Sequence, residues 1–176
     1  VLAVDNAPDR MDAYSPTTDQ IPGDPGPAIG GRLEDYHDLL RQEALPFFRD
    51  RYGVFADGQN LMLLGSSMGG LAALGLAMAH DGEQACAAGL SSTLGWGAFG
   101  PTSPGTATLA RSWPGHGSTA LYLDSGGGVD GTCVDGDGDG VFEDSADSDN
   151  YCTTIQLRDV LADLGYAFDV DLFHWW

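Results

Sequence analysis

Apolar positions along the chain alternate between two patterns. Val1 to Val4, Leu61 to Leu64, Ala85 to Leu90 and Ala120 to Leu123 are short uninterrupted apolar runs. Such runs are expected of strands covered on both faces of a parallel sheet. Between them, Leu33 to Arg51 sets Leu33, Tyr36, Leu39, Leu40, Ala44, Phe47 and Phe48 on one side at helical spacing, with Pro46 placed to kink the last turn. A small-residue stretch from Leu71 to His80 predicts a second helix, stopped by Asp81-Gly82, and Thr153 to Leu164 a third, ended by Gly165. Phe168 to Trp176 reads as a last strand. Tyr14 to Gly31 holds four Pro and four Gly and reads as a surface loop. Apolar strands alternating with helices predict one α/β domain, a mainly parallel sheet with helices on both faces.

Composition narrows the function. The 176 residues carry 26 acidic and 7 basic side chains, a formal net charge of -19, and every basic residue is Arg. With no basic patch to displace counterions, nucleic acid is excluded as a partner. No apolar run reaches the ~18 to 20 residues of a membrane span. The acid is concentrated: Asp124 to Asp149 holds nine Asp or Glu and no Arg. Because Val1 to Val4 reads as a strand from the first residue, the chain is expected to begin inside its domain.

The sharpest motif is Gly65-Ser66-Ser67-Met68-Gly69, a G-x-S-x-G centred on Ser67. A nucleophile elbow needs a strand before it and a helix after it, which lift the serine hydroxyl above the sheet. Leu61 to Leu64 and Leu71 to Met78 supply both. Glycines two places either side let strand and helix approach where a β-carbon would clash. Ser66 fails this test, being flanked by Leu64 and Met68. The Met68 N–H is expected to form half of an oxyanion hole, aided by the positive end of the helix.

Around this motif the chain resembles the esterase family of the α/β-hydrolase superfamily that includes esterase D, enterobactin and feruloyl esterases and the mycobacterial mycolyltransferases. Val4-Asp5-Asn6 with Arg10, Tyr14 and Pro16 resembles its strand and following loop, with Ala13 where the family often has Glu. Asp35-Tyr36-His37-Asp38 through Pro46-Phe47 resembles its helix before the elbow strand, and Gly65 to Leu71 its GSSMGGL. Ala88 to Trp96 and Leu121 to Gly126 are similar to two further strand ends. The resemblance implies an α/β-hydrolase fold truncated at both ends, residues 1–176 being a partial domain with an acidic insert at about 125–150.

A serine triad in this fold runs Ser, acid, His along the chain. Asp124, Asp130 and Asp149 lie between the strand at 120–123 and the last helix, with Asp147 a further candidate. The resemblance favours Asp149, a few residues before that helix, with Asp124 next. Among the histidines, His37 reads as a surface residue, His80 as a helix C-terminal residue that complements the dipole, and His116 as a loop residue able to line a cleft. Only His174 follows the acid, but the family's histidine comes after the last strand. The base is therefore expected beyond Trp176 and His174 on the rim. The second oxyanion donor is expected before Val1, and the 176 residues alone are expected to be inactive. No cofactor is expected in catalysis. Trp96, Phe99 and Trp113 are candidates for the substrate pocket or for the core.

Asp135, Asp137 and Asp139 followed by Gly140 have the D-x-D-x-D-G spacing of a calcium loop, with Val141 offering its carbonyl and Glu143 a carboxylate. Position twelve is Ala146, which excludes an ordinary EF-hand. A structural Ca2+ is thus expected. Cys133 and Cys152 bracket the loop, and a disulfide between them would close about 20 residues, worth roughly 3 kcal/mol. Cys86 reads as a small buried hydrophobe. Disulfide and calcium together point to a secreted or periplasmic protein. The leading reading is a serine carboxylesterase acting on a small-molecule or polysaccharide-linked ester. The alternative is an inactive calcium-dependent extracellular binding module on a hydrolase scaffold.

Overall fold

In the computed structural model, which describes residues 1–5, 8–21, 23–55, 57–100, 107–126, 132–144 and 150–167, the central apolar runs pair as predicted. The elements are α1 (Arg10–Ala13), β1 (Thr18–Asp19), β2 (Ile29–Gly30), α2 (Leu33–Leu39), a π-helical turn (Leu40–Ala44), α3 (Leu45–Tyr52) and a 3-10 turn (Gly58–Asn60). Next come β3 (Met62–Ser66), α4 (Met68–Ala79), β4 (Cys86–Leu90), α5 (Leu109–Ser112), β5 (Ala120–Asp124), β6 (Cys133–Val134), β7 (Glu143–Asp144) and α6 (Tyr151–Asp163). β3, β4 and β5 form a parallel sheet in that order, in register from Met62, Cys86 and Ala120 at one edge to Ser66, Leu90 and Asp124 at the other. The C-terminal edge thereby collects the ends of all three strands, where open α/β sheets bind their ligands.

The core forms where α4, α5 and α6 bury their apolar residues together. Leu71, Leu74, Leu157 and Leu161 are fully buried there with Trp96, and Trp113, Leu121 and Leu123 pack against them. Each such leucine contributes about 1.5 to 3 kcal/mol by leaving water. A second cluster joins Leu33 of α2 to Ala72 and Leu76 of α4, with Leu63 of β3 beneath. Met62 and Leu64 point to the opposite face of β3 and remain more than half exposed, so this strand is covered on one side only among the described residues.

Several expectations are corrected. Val1 to Val4 forms no ladder, and Val1, Leu2 and Val4 are exposed. An apolar run becomes a strand only where another backbone pairs with it, and no described strand lies alongside. The helix predicted from 33 to 51 contains a π turn at Leu40–Ala44, directly before Pro46. Pro46 has no N–H to donate one turn back, and the wide turn absorbs that loss. The extra residue rotates the rest of the helix by about 100°. Phe47, after the turn, is therefore 69% exposed although helical spacing put it on the buried side; Leu39, before the turn, is 41% exposed and is corrected too. Cys86 is half-buried rather than buried. Phe168 to Trp176 lies outside the described residues.

The loop from Tyr14 to Gly31 carries more structure than its composition suggests. β1 and β2 pair antiparallel, Thr18 with Gly30 and Asp19 with Ile29. Asp19 is 1% exposed, and its carboxylate accepts the backbone N–H groups of Gly97 (2.7 Å), Phe99 (2.9 Å) and Gly100 (2.9 Å), besides that of Gln20. Beside it, the Trp96 indole N–H donates to the Thr17 carbonyl at 2.8 Å. The loop is thus bolted to the segment that leaves β4 at the C-terminal edge of the sheet. At the opposite edge, Asp81 accepts the N–H groups of Ser118 and Thr119, which pull its carboxyl down to about 2.

Candidate active site

Ser67 stands at the junction of β3 and α4 with φ 55° and ψ −122°, a left-handed backbone for a non-glycine residue. Such strain costs on the order of 1 to 3 kcal/mol and persists only where the surroundings fix it. Here they do. The Ser67 N–H donates to Leu90 O at 3.0 Å, while Ser67 O accepts from Gly70, Leu71 and Thr93 N–H at 3.0 to 3.2 Å. The turn is therefore tied both to its own helix and to the end of β4. The side chain is exposed, and its Oγ lies 3.3 Å from Thr93 Oγ1. Thr93 went unnoticed in the sequence because nothing local to it signals proximity to a serine 26 residues away.

The glycines divide their work differently from expectation. A β-carbon on Gly65 would lie 2.1 Å from Gly69 O and one on Gly70 2.2 Å from Ser92 Oγ, whereas one on Gly69 would meet nothing within 4 Å. Close approach of strand and helix thus depends on Gly65 and Gly70. Gly65→Ala is expected to cost at least about 3 kcal/mol, since the neighbouring atoms are backbone and cannot swing aside. Urea denaturation would show this, and a loss below about 1 kcal/mol would contradict it. Ser92, under the elbow, is 1% exposed, and its Oγ has no hydrogen-bond partner among the described residues.

Asp124 ends β5 two strands from Ser67, at the same edge. Its Oδ1 accepts the Ser91 N–H at 3.0 Å and its Oδ2 faces the Tyr122 hydroxyl at 3.3 Å. Asp149, Asp130, Asp147 and His174 lie outside the described residues. Asn150, next to Asp149 in sequence, is described: its amide donates to the Ser91 carbonyl at 3.1 Å and its own carbonyl accepts the Thr154 N–H that opens α6. The start of α6 is thereby held at the C-terminal edge of the sheet.

The described histidines are elsewhere. His116 stacks on Tyr166 with ring centroids 4.4 Å apart, in the loop that leads into β5. That loop is at the edge opposite Ser67, so a cleft-lining role for His116 is corrected: five strand residues, about 16 Å, separate the two edges. His37 and His80 meet at the far end of α4. Trp96 and Trp113 are 1% and 9% exposed and belong to the core, while Phe99 is 39% exposed.

The acidic segment folds as a tip on the β6–β7 hairpin, in which Cys133 pairs with Asp144 and Val134 with Glu143. Cys133 and Cys152 form the expected disulfide, with Cα atoms 5.4 Å apart, and so fasten the hairpin to α6. Carboxylate oxygens of Asp135, Asp137 and Asp139 lie within 4.8 Å of one another. Backbone amides order them: Asp135 accepts from Gly138 and Gly140, Asp137 from Asp139, and Asp139 from Val141. Gly138 and Gly140, at φ +84° and +85°, make the sharp turn that brings them together. Burial raises the carboxyl of Asp139 above its ordinary value, and the charges of Asp137 and Asp135 add to it. Glu143 is raised for the same reasons, and its Oε2 receives the Gly136 N–H at 3.4 Å, outside the group of three. Arg111 and Gln156 both donate to Gly140 O, pinning the tip against α5 and α6.

Among the described residues no helix is long and apolar enough to cross a membrane. No curated protein sequence matches the chain. Among solved structures, the siderophore hydrolase EstB from Aspergillus nidulans superposes with a TM-score of 0.53 at 15% identity, covering 94% of this chain and 56% of that one. The enterobactin esterase FES from Shigella flexneri superposes with a TM-score of 0.44 at 20% identity, covering 53% of this chain and 25% of that one. The chain therefore spans between a quarter and a little over half of the length of these proteins. A sequence model of the family described as "Putative esterase" matches residues 11–158, which include the elbow, the parallel sheet and most of α6. By that match and by the parallel sheet with its helices, the chain belongs to this esterase family and is built on the α/β-hydrolase fold.

Proposed function

We propose that the protein is a serine carboxylesterase in which Ser67 is the nucleophile. The observation that carries this reading is the backbone of Ser67, held in a left-handed turn with its hydroxyl exposed at the sheet's C-terminal edge. Ser67 Oγ attacks the ester carbonyl while a histidine takes its proton. The carbonyl oxygen becomes an oxyanion beside the Met68 N–H, which begins α4 and has no acceptor within its own helix. Collapse expels the alcohol, protonated by the histidine, and leaves an acyl-serine. Water activated by the same histidine then releases the acid.

The base is a histidine that follows the acid along the chain, a role for which none of the described histidines, His37, His80 and His116, has the order. The acid that orients it is Asp149, with Asp124 next. Two observations support that order: Asn150 is anchored at the edge where Ser67 stands, and both oxygens of Asp124 already have partners. Asp149→Asn is expected to lower kcat for p-nitrophenyl acetate by about 10^4-fold, as a mis-set histidine tautomer does, and Asp124→Asn by less than about 10-fold. The reverse ranking would move the acid to Asp124.

Small-molecule esters are the substrate class to try first. EstB is named as a siderophore hydrolase, and polysaccharide-linked esters come next. The Cys133–Cys152 bridge supports export to an oxidising compartment. The three aspartates of the hairpin tip support one structural Ca2+, which would relieve their mutual repulsion and steady the start of α6. Calcium is expected to raise Tm, and Asp137→Asn to weaken calcium binding at least about 10-fold by isothermal titration. Absence of binding at millimolar calcium would end this part of the proposal.

A further inference from the structure

Two histidines far apart in sequence lie face to face at the end of α4 remote from Ser67. His37 of α2 and His80, the residue that closes α4, stack with ring centroids 3.7 Å apart and planes 8° apart. Glu34, one turn before His37, reaches His80 Nε2 at 2.9 Å. Glu83 serves both rings: its Oε2 is 3.1 Å from His37 Nε2 and its Oε1 3.8 Å from His80 Nδ1. Arg41 Nε in turn holds Glu83 at 3.3 Å. One donor atom from each of Glu34, His37 and His80 lies within 4.8 Å of the other two. The imidazoles are mostly shielded, at 15% and 21% side-chain exposure, while Glu34 at 68% leaves one side open to solvent.

We propose that Glu34, His37 and His80 form a binding site for a transition-metal ion, zinc first, that clips α2 to the end of α4. The donor set decides the class of ion. Two imidazole nitrogens and a carboxylate suit zinc and its neighbours, whereas calcium and magnesium take oxygen. The surroundings fit as well. Glu83 Oε2, 3.1 Å from His37 Nε2 and held by Arg41, is the carboxylate-behind-histidine arrangement that orients a ligand bound through the other ring nitrogen. Donors in a tetrahedral zinc shell stand about 3.3 Å apart, so the three side chains must close inward. The rings must also tilt out of their parallel stack, because each lone pair lies in its ring plane. Water would fill the remaining position.

The site's role is structural. The 12 residues of α4 put it about 18 Å from Ser67, too far to touch a substrate there. The sequence spacing concealed it, since His37 and His80 sit on different helices.

The test is zinc titration of the metal-stripped protein, saturated with calcium so that the acidic tip is occupied. One zinc per chain with a micromolar Kd is expected, together with a zinc-dependent rise in Tm and unchanged esterase turnover. His37→Gln and His80→Gln should each weaken zinc binding at least about 10-fold. Glu34→Gln, at an exposed position that does not endanger folding, should weaken it in the same direction, and Asp137→Asn should leave it unchanged. Binding no tighter than about 100 μM, or zinc retained at full affinity in all three variants at the site, would overturn the proposal.

Discussion

Ser67→Ala is expected to lower kcat for p-nitrophenyl acetate by at least about 10^3-fold, with KM little altered. Removing the nucleophile of a serine triad leaves only the rate that the oxyanion donors and binding provide, and losses of about 10^6-fold are known. The substitution should not damage the fold. Ser67 is exposed, and the hydrogen bonds that tie the turn to Leu90, Gly70, Leu71 and Thr93 all use its backbone. Relief from the left-handed conformation is not on offer, since alanine must adopt the same φ of 55°. Tm should therefore move by no more than a few degrees while turnover vanishes. Loss of activity accompanied by unfolding would mean that the hydroxyl acts in the structure rather than in the chemistry. Thr93→Val, which removes the hydroxyl 3.3 Å from Ser67 Oγ, gives a control expected to cost far less.

The second large effect is expected at a residue remote from the chemistry. Asp19→Asn should destabilise the protein by about 3 to 5 kcal/mol, because a charged acceptor shared by several backbone N–H groups is lost. Asn preserves the shape of the side chain, so no cavity contributes. Among the described residues, each Asp19 carboxylate oxygen accepts two backbone N–H groups: Gln20 and Gly100 on Oδ1, Gly97 and Phe99 on Oδ2. An amide can offer an oxygen to only one of these pairs and must turn its own N–H2 toward the other. Two donors then lose their acceptor, one of them buried (Gly97 or Gly100), each worth about 1 to 3 kcal/mol. Chemical denaturation of the wild type and the variant measures the difference. A loss below about 1 kcal/mol would show that water reaches the four donors.

The features legible in the sequence are those that depend on near neighbours. The elbow is local: strand, serine and helix occupy consecutive residues, and their order alone predicts the turn. The calcium-type loop and its bracketing cysteines are local in the same sense, and the hairpin closes over 19 residues from Cys133 to Cys152. Asp19 was illegible because its partners lie 78 to 81 residues further on, in a segment with no motif of its own. The histidine pair was missed for the same reason. Phe47 was misassigned because helical spacing assumes a uniform 3.6-residue turn, and the π turn before Pro46 breaks it. Val1 to Val4 was misread because apolar character predicts burial only where something is present to pack against. The acid and base differ in kind: their order along the chain follows from the fold, but geometry near Ser67 is described for Asp124 alone.

Whether Ser67 is an activated nucleophile decides the functional reading. The most direct measurement is reaction of the full-length protein with a fluorophosphonate probe, with mass spectrometry of the peptide that contains residues 61–79. An activated Ser67 predicts one probe adduct per chain, on that residue, with no labelling of Ser67→Ala or of the urea-unfolded protein. Absence of an adduct on folded wild type, or equal labelling of Ser66 and Ser67, would contradict it.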